Sequence, residues 1–208
     1  MNPTIRMIFA IAITLTGAAQ AMAIEEASYT VAIKDEKFEV RDYSPHILAE
    51  TLVDGDLETA GSKAFDRLFR YISGDNQSRN KIAMTAPVSQ ERAREKIKMT
   101  APVSQQRVKD KWAVSFMMPA EYTLKTLPEP SNPSVTLRQV PERRMAVVRY
   151  SGLWSEARYL EHMQALESWI RAKGLTAIGT PVWARYNPPF TPWFMRRNEI
   201  LIPVMKQR

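Results

Sequence analysis

The chain has 208 residues, 45% of them hydrophobic and 25% charged, with 29 Lys and Arg against 22 Asp and Glu for a net charge of +7. That length supports one domain with a substantial core, and the absence of Cys excludes disulfides, thiolate metal sites and a lipid-modified cysteine. The basic excess is scattered, since Arg92, Arg94, Lys96, Lys98, Arg107, Lys109, Arg143 and Arg144 are interleaved with acids or neutral residues; no continuous basic tract argues for nucleic acid, while anionic ligands such as carboxylates remain favoured.

Residues 1–23 read as an address. Arg6 supplies a positive start, Met7 to Thr16 is apolar, and Gly17 to Ala23 is a small-residue tail ending in Ala-x-Ala. This is the pattern of a secretory signal peptide with cleavage after Ala23, and its apolar part is too short to span a hydrocarbon layer of about 30 Å. The expectation is a periplasmic or secreted protein, with no stable membrane insertion after cleavage and one domain over residues 24–208. Removing the leader takes only Arg6 among the charges, leaving a net charge of +6.

Phe38–Tyr43 and Ile47–Val53 alternate with period two around a Ser44-Pro45 turn and predict strands. Over Glu58–Ser73 the apolar positions Ala64, Phe65, Leu68, Phe69 and Ile72 recur at helical spacing, with Gly74 as the stop. Lys81–Gln90 then recurs almost unchanged as Lys96–Gln105, a 15-residue offset that differs only at Ala83 against Lys98. Pro87 and Pro102 each remove a ladder donor, so both copies suit edge strands, strand ends or a surface hairpin; the alternative sets Met84 and Met99 as a soft pair beside a ligand.

Trp112–Phe116 predicts the next strand, and Leu127–Pro133 a stiff loop. Val135–Arg138 and Met145–Tyr150 flank Pro141-Glu142 as strands. Ser155–Lys173 is a second amphipathic helix, capped by Ser155 and ended by Gly174. Val182–Tyr186 and Glu199–Val204 are the last strands. Strand–turn–strand–helix therefore occurs twice, 97 residues apart at both the first strand and the helix. This predicts an α+β fold of two β-β-α halves, antiparallel because the connections are too short for parallel crossovers.

Several segments in order resemble the SOUL/heme-binding protein family: Phe38–Tyr43, Phe65–Asn76, Lys81–Val88, Pro128–Pro130, Val147–Gly152, Tyr186–Pro189 and Arg196–Glu199. The resemblance spans nearly all of the chain beyond residue 23. It implies two pseudo-symmetric halves forming a distorted antiparallel barrel or sheet flanked by two helices, like the effector domains of some bacterial regulators. It also implies binding of heme or related tetrapyrroles in a shallow apolar groove along the first helix. Carried over by position, Arg70 becomes the cation for a heme propionate, with Phe69 and Phe65 as apolar surface. A second basic helix position falls at Ser62, the loop lysine falls near Thr191 with Arg196 close by, and the histidine proposed as an iron ligand falls at Asp42.

Heme needs a flat apolar slot, cations for its propionates and often an iron ligand. The loop holding Phe190, Thr191, Trp193, Phe194 and Met195 is rich in aromatics and stiffened by prolines. Packed on Phe65 and Phe69 it would wall such a slot; otherwise its aromatics fold it onto the core. His46 reads as turn-edge polarity and His162 as a helix-surface or core-edge residue, and these two with Met84, Met99 and Met195 are the candidate iron ligands. Arg196-Arg197-Asn198-Glu199 reads as an ion-pair or turn-fixing network entering a strand, with ligand contact as the alternative. No catalytic constellation emerges. The leading function is thus a tetrapyrrole carrier or buffer; the alternatives are a binder of another apolar small molecule and an enzyme that releases iron from heme.

Overall fold

The computed structural model describes residues 24–79 and 94–206, so the leader and the first copy of the duplicated segment, with Met84, lie outside the described residues. The period-two segments become strands and the two amphipathic ones helices. In chain order these are β1 (Tyr29–Asp35), β2 (Phe38–Tyr43), β3 (His46–Val53), α1 (Leu57–Ile72), β4 (Asn76–Gln77), β5 (Val103–Val108) and β6 (Lys111–Met117). They continue with β7 (Glu129–Pro130), β8 (Val135–Val140), β9 (Arg143–Tyr150), α2 (Glu156–Ala172), β10 (Leu175–Ala177), β11 (Val182–Arg185) and β12 (Asn198–Lys206). Both helices start on a side-chain cap, Asp56 accepting from the Thr59 amide and Ser155 from that of Arg158. Both end before a glycine at positive φ, Gly74 at 113° and Gly174 at 64°, the backbone form a helix stop favours. No helix among the described residues is long and apolar enough to cross a membrane.

The main sheet runs β1-β2-β9-β12-β11-β5-β6-β3-β8, with β10 paired to β12 off this path, and its pairings are antiparallel. The 97-residue repeat is real in the strands: Val135 stands 97 residues after Phe38, and Arg143 stands 97 after His46. Yet neither half pairs internally across its turn. β2 of the first half pairs with β9 of the second, and β3 pairs with β8. Exchanging β2 with β8, β3 with β9, β5 with β11 and β6 with β12 leaves the order unchanged, which is a pseudo-two-fold relation centred on the β5–β11 pair.

Two sets of alternatives are decided here, in favour of an open sheet and of a strand end. The sheet does not close into a barrel; β1 and β8 end the path. The second copy of the duplicated segment is no edge hairpin either. It runs, after Pro102, into β5, which has β11 on one side and β6 on the other. Pro102 is tolerated because it stands just ahead of the strand, where no ladder donor is needed.

Alternation gives the sheet two faces. Ile47, Ala49, Val53, Val114 and Phe116 meet Ala60, Ala64, Leu68 and Ile72 of α1. Val40, Ala146, Val148, Trp183, Ile200 and Ile202 meet Tyr159, Leu166 and Ile170 of α2. The opposite, helix-free face carries Tyr43, Met145, Val147, Val182, Ala184 and Leu201, with Leu48 and Met117 in a smaller cluster.

Candidate functional site

The helix α1 buries one stripe and exposes another. Ser62, Asp66, Phe69 and Arg70 are solvent-facing, and Phe65 sits half-buried at the boundary. Phe65 meets the Phe116 ring edge-on at 5.4 Å and stacks on Phe69 at 5.7 Å with planes 12° apart. Phe69 is thereby held in place while remaining 45% exposed. A flat aromatic face fixed from below and open above is a surface for a planar apolar ligand.

Beyond α1 the chain is clamped back onto the helix end by Asn76, which is buried. Its Nδ2 donates to the Tyr71 and Glu95 carbonyls at 2.7 Å each, and its Oδ1 accepts from the Glu95 amide at 3.0 Å. The Ile97 amide adds a bond to the Ile72 carbonyl at 2.8 Å. This brings Arg94 and Lys96 beside Arg70, and the three cations line one shallow recess with Ser73, Gly74 and Asp75. Arg70 pairs with Asp66 at 2.9 Å, but both side chains are about two-thirds exposed, so the pair contributes little and Arg70 is available to another anion. Arg94 and Lys96 have no ion-pair partner among the described residues. The position of these cations at a helix C-terminus is itself favourable. Arg94 and Lys96 were not among the residues singled out from sequence, because only the Asn76 clamp places them.

The aromatic loop behaves differently from either expectation. Phe190 is 85% exposed, and Trp193, Phe194 and Met195 are more than half exposed, so the loop is not folded onto the core. Its order comes from Arg196, which donates to the Thr191 carbonyl at 2.8 Å and the Pro189 carbonyl at 2.7 Å and lies 4.3 Å from the Trp154 ring centre. The Gly152 amide also donates to the Trp193 carbonyl at 3.0 Å. Arg196 is thus spent on the loop backbone, and Thr191 offers it a carbonyl. Phe194, Met195 and Arg196 line a recess with Lys34, Lys37 and Arg149, separate from the one Arg70 lines. The segment that holds this loop, Gly152 and Trp154, leads into α2, whose Glu156 amide donates to Glu58 at the start of α1 at 3.2 Å. Arg70 is about 18 Å further along the helix at 1.5 Å per residue.

The candidate iron ligands are dispersed. His46 is half-buried, its Nδ1 set 2.9 Å from the Ser44 carbonyl, and burial with the nearby arginines Arg143 and Arg138 holds its pKa below 6.5. His162 is not a surface residue: it is 7% exposed, its ring 4.0 Å from that of Tyr150, with Nε2 buried and unpartnered. Burial lowers its pKa too. Met99 and Met195 are exposed. Asp42 forms a two-bond pair with Arg144, at 2.7 and 2.8 Å. None of these lines the Arg70 recess, so the residues there suit a ligand gripped by its face and carboxylates.

Within the Arg196–Glu199 run, Arg196 fixes the loop while Arg197 and Glu199 belong to an ion-pair network, as one reading expected. Glu199 is fully buried, with Arg41 Nη1 at 2.8 Å, Arg197 Nε at 3.0 Å and Tyr186 Oη at 2.8 Å. Burial pushes its carboxyl up, but Arg41, Arg197 and Tyr186 outweigh that and hold it below the ordinary value.

Comparison with known proteins agrees with this architecture. The family model described as SOUL heme-binding protein matches residues 24–203. Heme-binding protein 1 of Mus musculus is 25% identical over 150 residues, covering 72% of this chain and 74% of the mouse protein. The EcmrR C-terminal domain superposes with a TM-score of 0.53 at 15% identity, covering 86% of this chain and 98% of that domain. A hydrolase from Listeria innocua gives 0.55 at 12% identity, over 84% and 94% of the two chains. These structural likenesses speak for the fold alone, an antiparallel α+β sheet with two helices shared with the EcmrR C-terminal domain. With the family model spanning all but the ends of the chain, this protein belongs to the SOUL heme-binding protein family.

Proposed function

We propose that this protein binds heme or a related tetrapyrrole on the exposed face of α1 and serves as an exported, periplasmic carrier or buffer for it. The observation that carries this reading is one juxtaposition. The stacked pair Phe65–Phe69 offers an aromatic platform, and Arg70, Arg94 and Lys96 converge at its C-terminal end. A tetrapyrrole with propionates has the complementary layout, a flat apolar body and two carboxylates on one edge. Charge-assisted bonds to those carboxylates are the strong kind, and the apolar face supplies the rest. Family membership supports the ligand class, and the leader pattern in residues 1–23 supports export.

Reversing charge in the recess tests the site. Arg94→Glu with Lys96→Glu lowers hemin affinity in solution, whereas Lys37→Glu, in the recess beside the aromatic loop, leaves it unchanged. Equal losses from both would move the ligand off α1.

A further inference from the structure

The helix-free face of the sheet holds a recess that the tetrapyrrole reading does not use. It is a cavity of about 60 Å³ whose walls include Tyr43, His46, Leu48, Met117, Arg143 and Met145. By strand alternation these side chains point away from α1, whose contacts on β3 and β6 are Ile47, Ala49, Val114 and Phe116.

The charges in this wall are settled with one exception. The Tyr43 hydroxyl accepts from Arg41 at 3.0 Å, and that of Tyr186 donates to Glu199 at 2.8 Å. Glu26, the one carboxylate in the lining, is held by Arg197 at 2.8 Å. Arg143 alone has no hydrogen bond or ion pair among the described residues, and its Nε is fully buried without a partner. The cation Arg138 acts on it unfavourably and offers it no partner. Arg143 is half-buried, and its buried Nε–H, left without an acceptor, is costly; an anion in the recess completes it.

We propose that this recess is a second ligand site, for a small monocarboxylate with a short apolar body, its carboxylate received by Arg143. The guanidinium fork matches a carboxylate in two parallel bonds. Leu48, Met117 and Met145 offer apolar contact, and methionines adapt to irregular shapes. The volume sets the size: an apolar cavity of roughly 150 Å³ takes benzene, so this one takes a body of a few carbons. A ligand that small binds in the millimolar range.

Methionine-methyl NMR on ¹³C-methyl-labelled protein reads the site directly, with Met117 and Met145 assigned by Met→Leu substitution. Titrated butyrate shifts both methyls saturably. Butyramide, of the same shape without the charge, binds about tenfold more weakly. The variant Arg143→Gln loses that preference, and its dispersed methionine spectrum shows that it is folded. Hemin affinity is unaltered by saturating butyrate, because the two sites lie on opposite faces. The proposal is overturned if neither methyl responds to butyrate, if butyramide binds equally well, or if sulfate alone reproduces the shifts. The comparison of butyrate with butyramide on unaltered protein stands even where a variant does not fold.

Discussion

Arg41 and Glu199 grip each other from strands that are not neighbours. β2 and β12 flank β9, yet the Arg41 guanidinium reaches Glu199 with bonds of 2.8 and 3.1 Å, both side chains being almost wholly buried. The pair therefore ties three strands on the helix-free face, and Arg197 and Tyr186 complete the carboxylate.

Breaking that pair from one side strands a buried charge. Arg41→Met is expected to lower stability by about 3–5 kcal/mol. Replacing Arg41 and Glu199 together with Met recovers most of the loss, since a buried pair exchanged for apolar groups is often near neutral. Urea unfolding of the two variants checks this; a double variant as unstable as the single one would contradict it.

The same carboxylate gives acid sensitivity. Glu199 is held below its ordinary value of 4.5, so its contribution is complete above about that pH. It is lost as pH falls through the lowered value, where the folded form must take up a proton. Glu199→Gln is expected to be less stable at neutral pH and to show a flatter decline below pH 4.5, measured by thermal melts across pH.

His162 makes a second, milder pH dependence. Its pKa lies below the ordinary 6.5 because burial disfavours the charged ring. The unfolded chain then binds the proton more readily, and stability falls as pH drops below about 6.5. His162→Phe reduces this slope, leaving the part that comes from His46, whose pKa burial also lowers, and keeps or raises stability at neutral pH, because an unpartnered buried nitrogen goes with it. An unchanged slope in that variant would refute the assignment.

Adjacent residues on α1 separate folding from binding. Leu68 is fully buried and Phe69 is exposed. Leu68→Ala is expected to cost about 2–5 kcal/mol. Phe69→Ala, which loses the stacking on Phe65, costs less, about 0.5–1.5 kcal/mol, while weakening hemin. Chemical denaturation alongside hemin titration reads both.

What was legible in the sequence was local. The apolar spacing, Ser155 and the two glycines announced α1 and α2, and the 97-residue offset announced the halves. Strand partners were not legible, because β2 meets β9 and β3 meets β8 only through the exchange of halves. β1 was missed because it is an edge strand whose side chains are mostly exposed, leaving no alternation to see. The interior place of β5 was not legible because its buried residue is Gln105, which donates to the Leu57 carbonyl at 3.0 Å and accepts from Arg185. Within the candidate site, Phe65, Phe69 and Arg70 were readable from helix spacing and family resemblance. Arg94 and Lys96 were not, since their place depends on where Asn76 pins the returning chain.

The most direct measurement is a parallel absorption titration of the protein and its Arg70→Glu variant with hemin and with iron-free protoporphyrin. A ligand held by its face and carboxylates predicts saturable spectral shifts for both compounds at similar affinity, each weakened about tenfold or more by the reversal at Arg70. No shift at micromolar protein, or binding indifferent to Arg70→Glu, would contradict it.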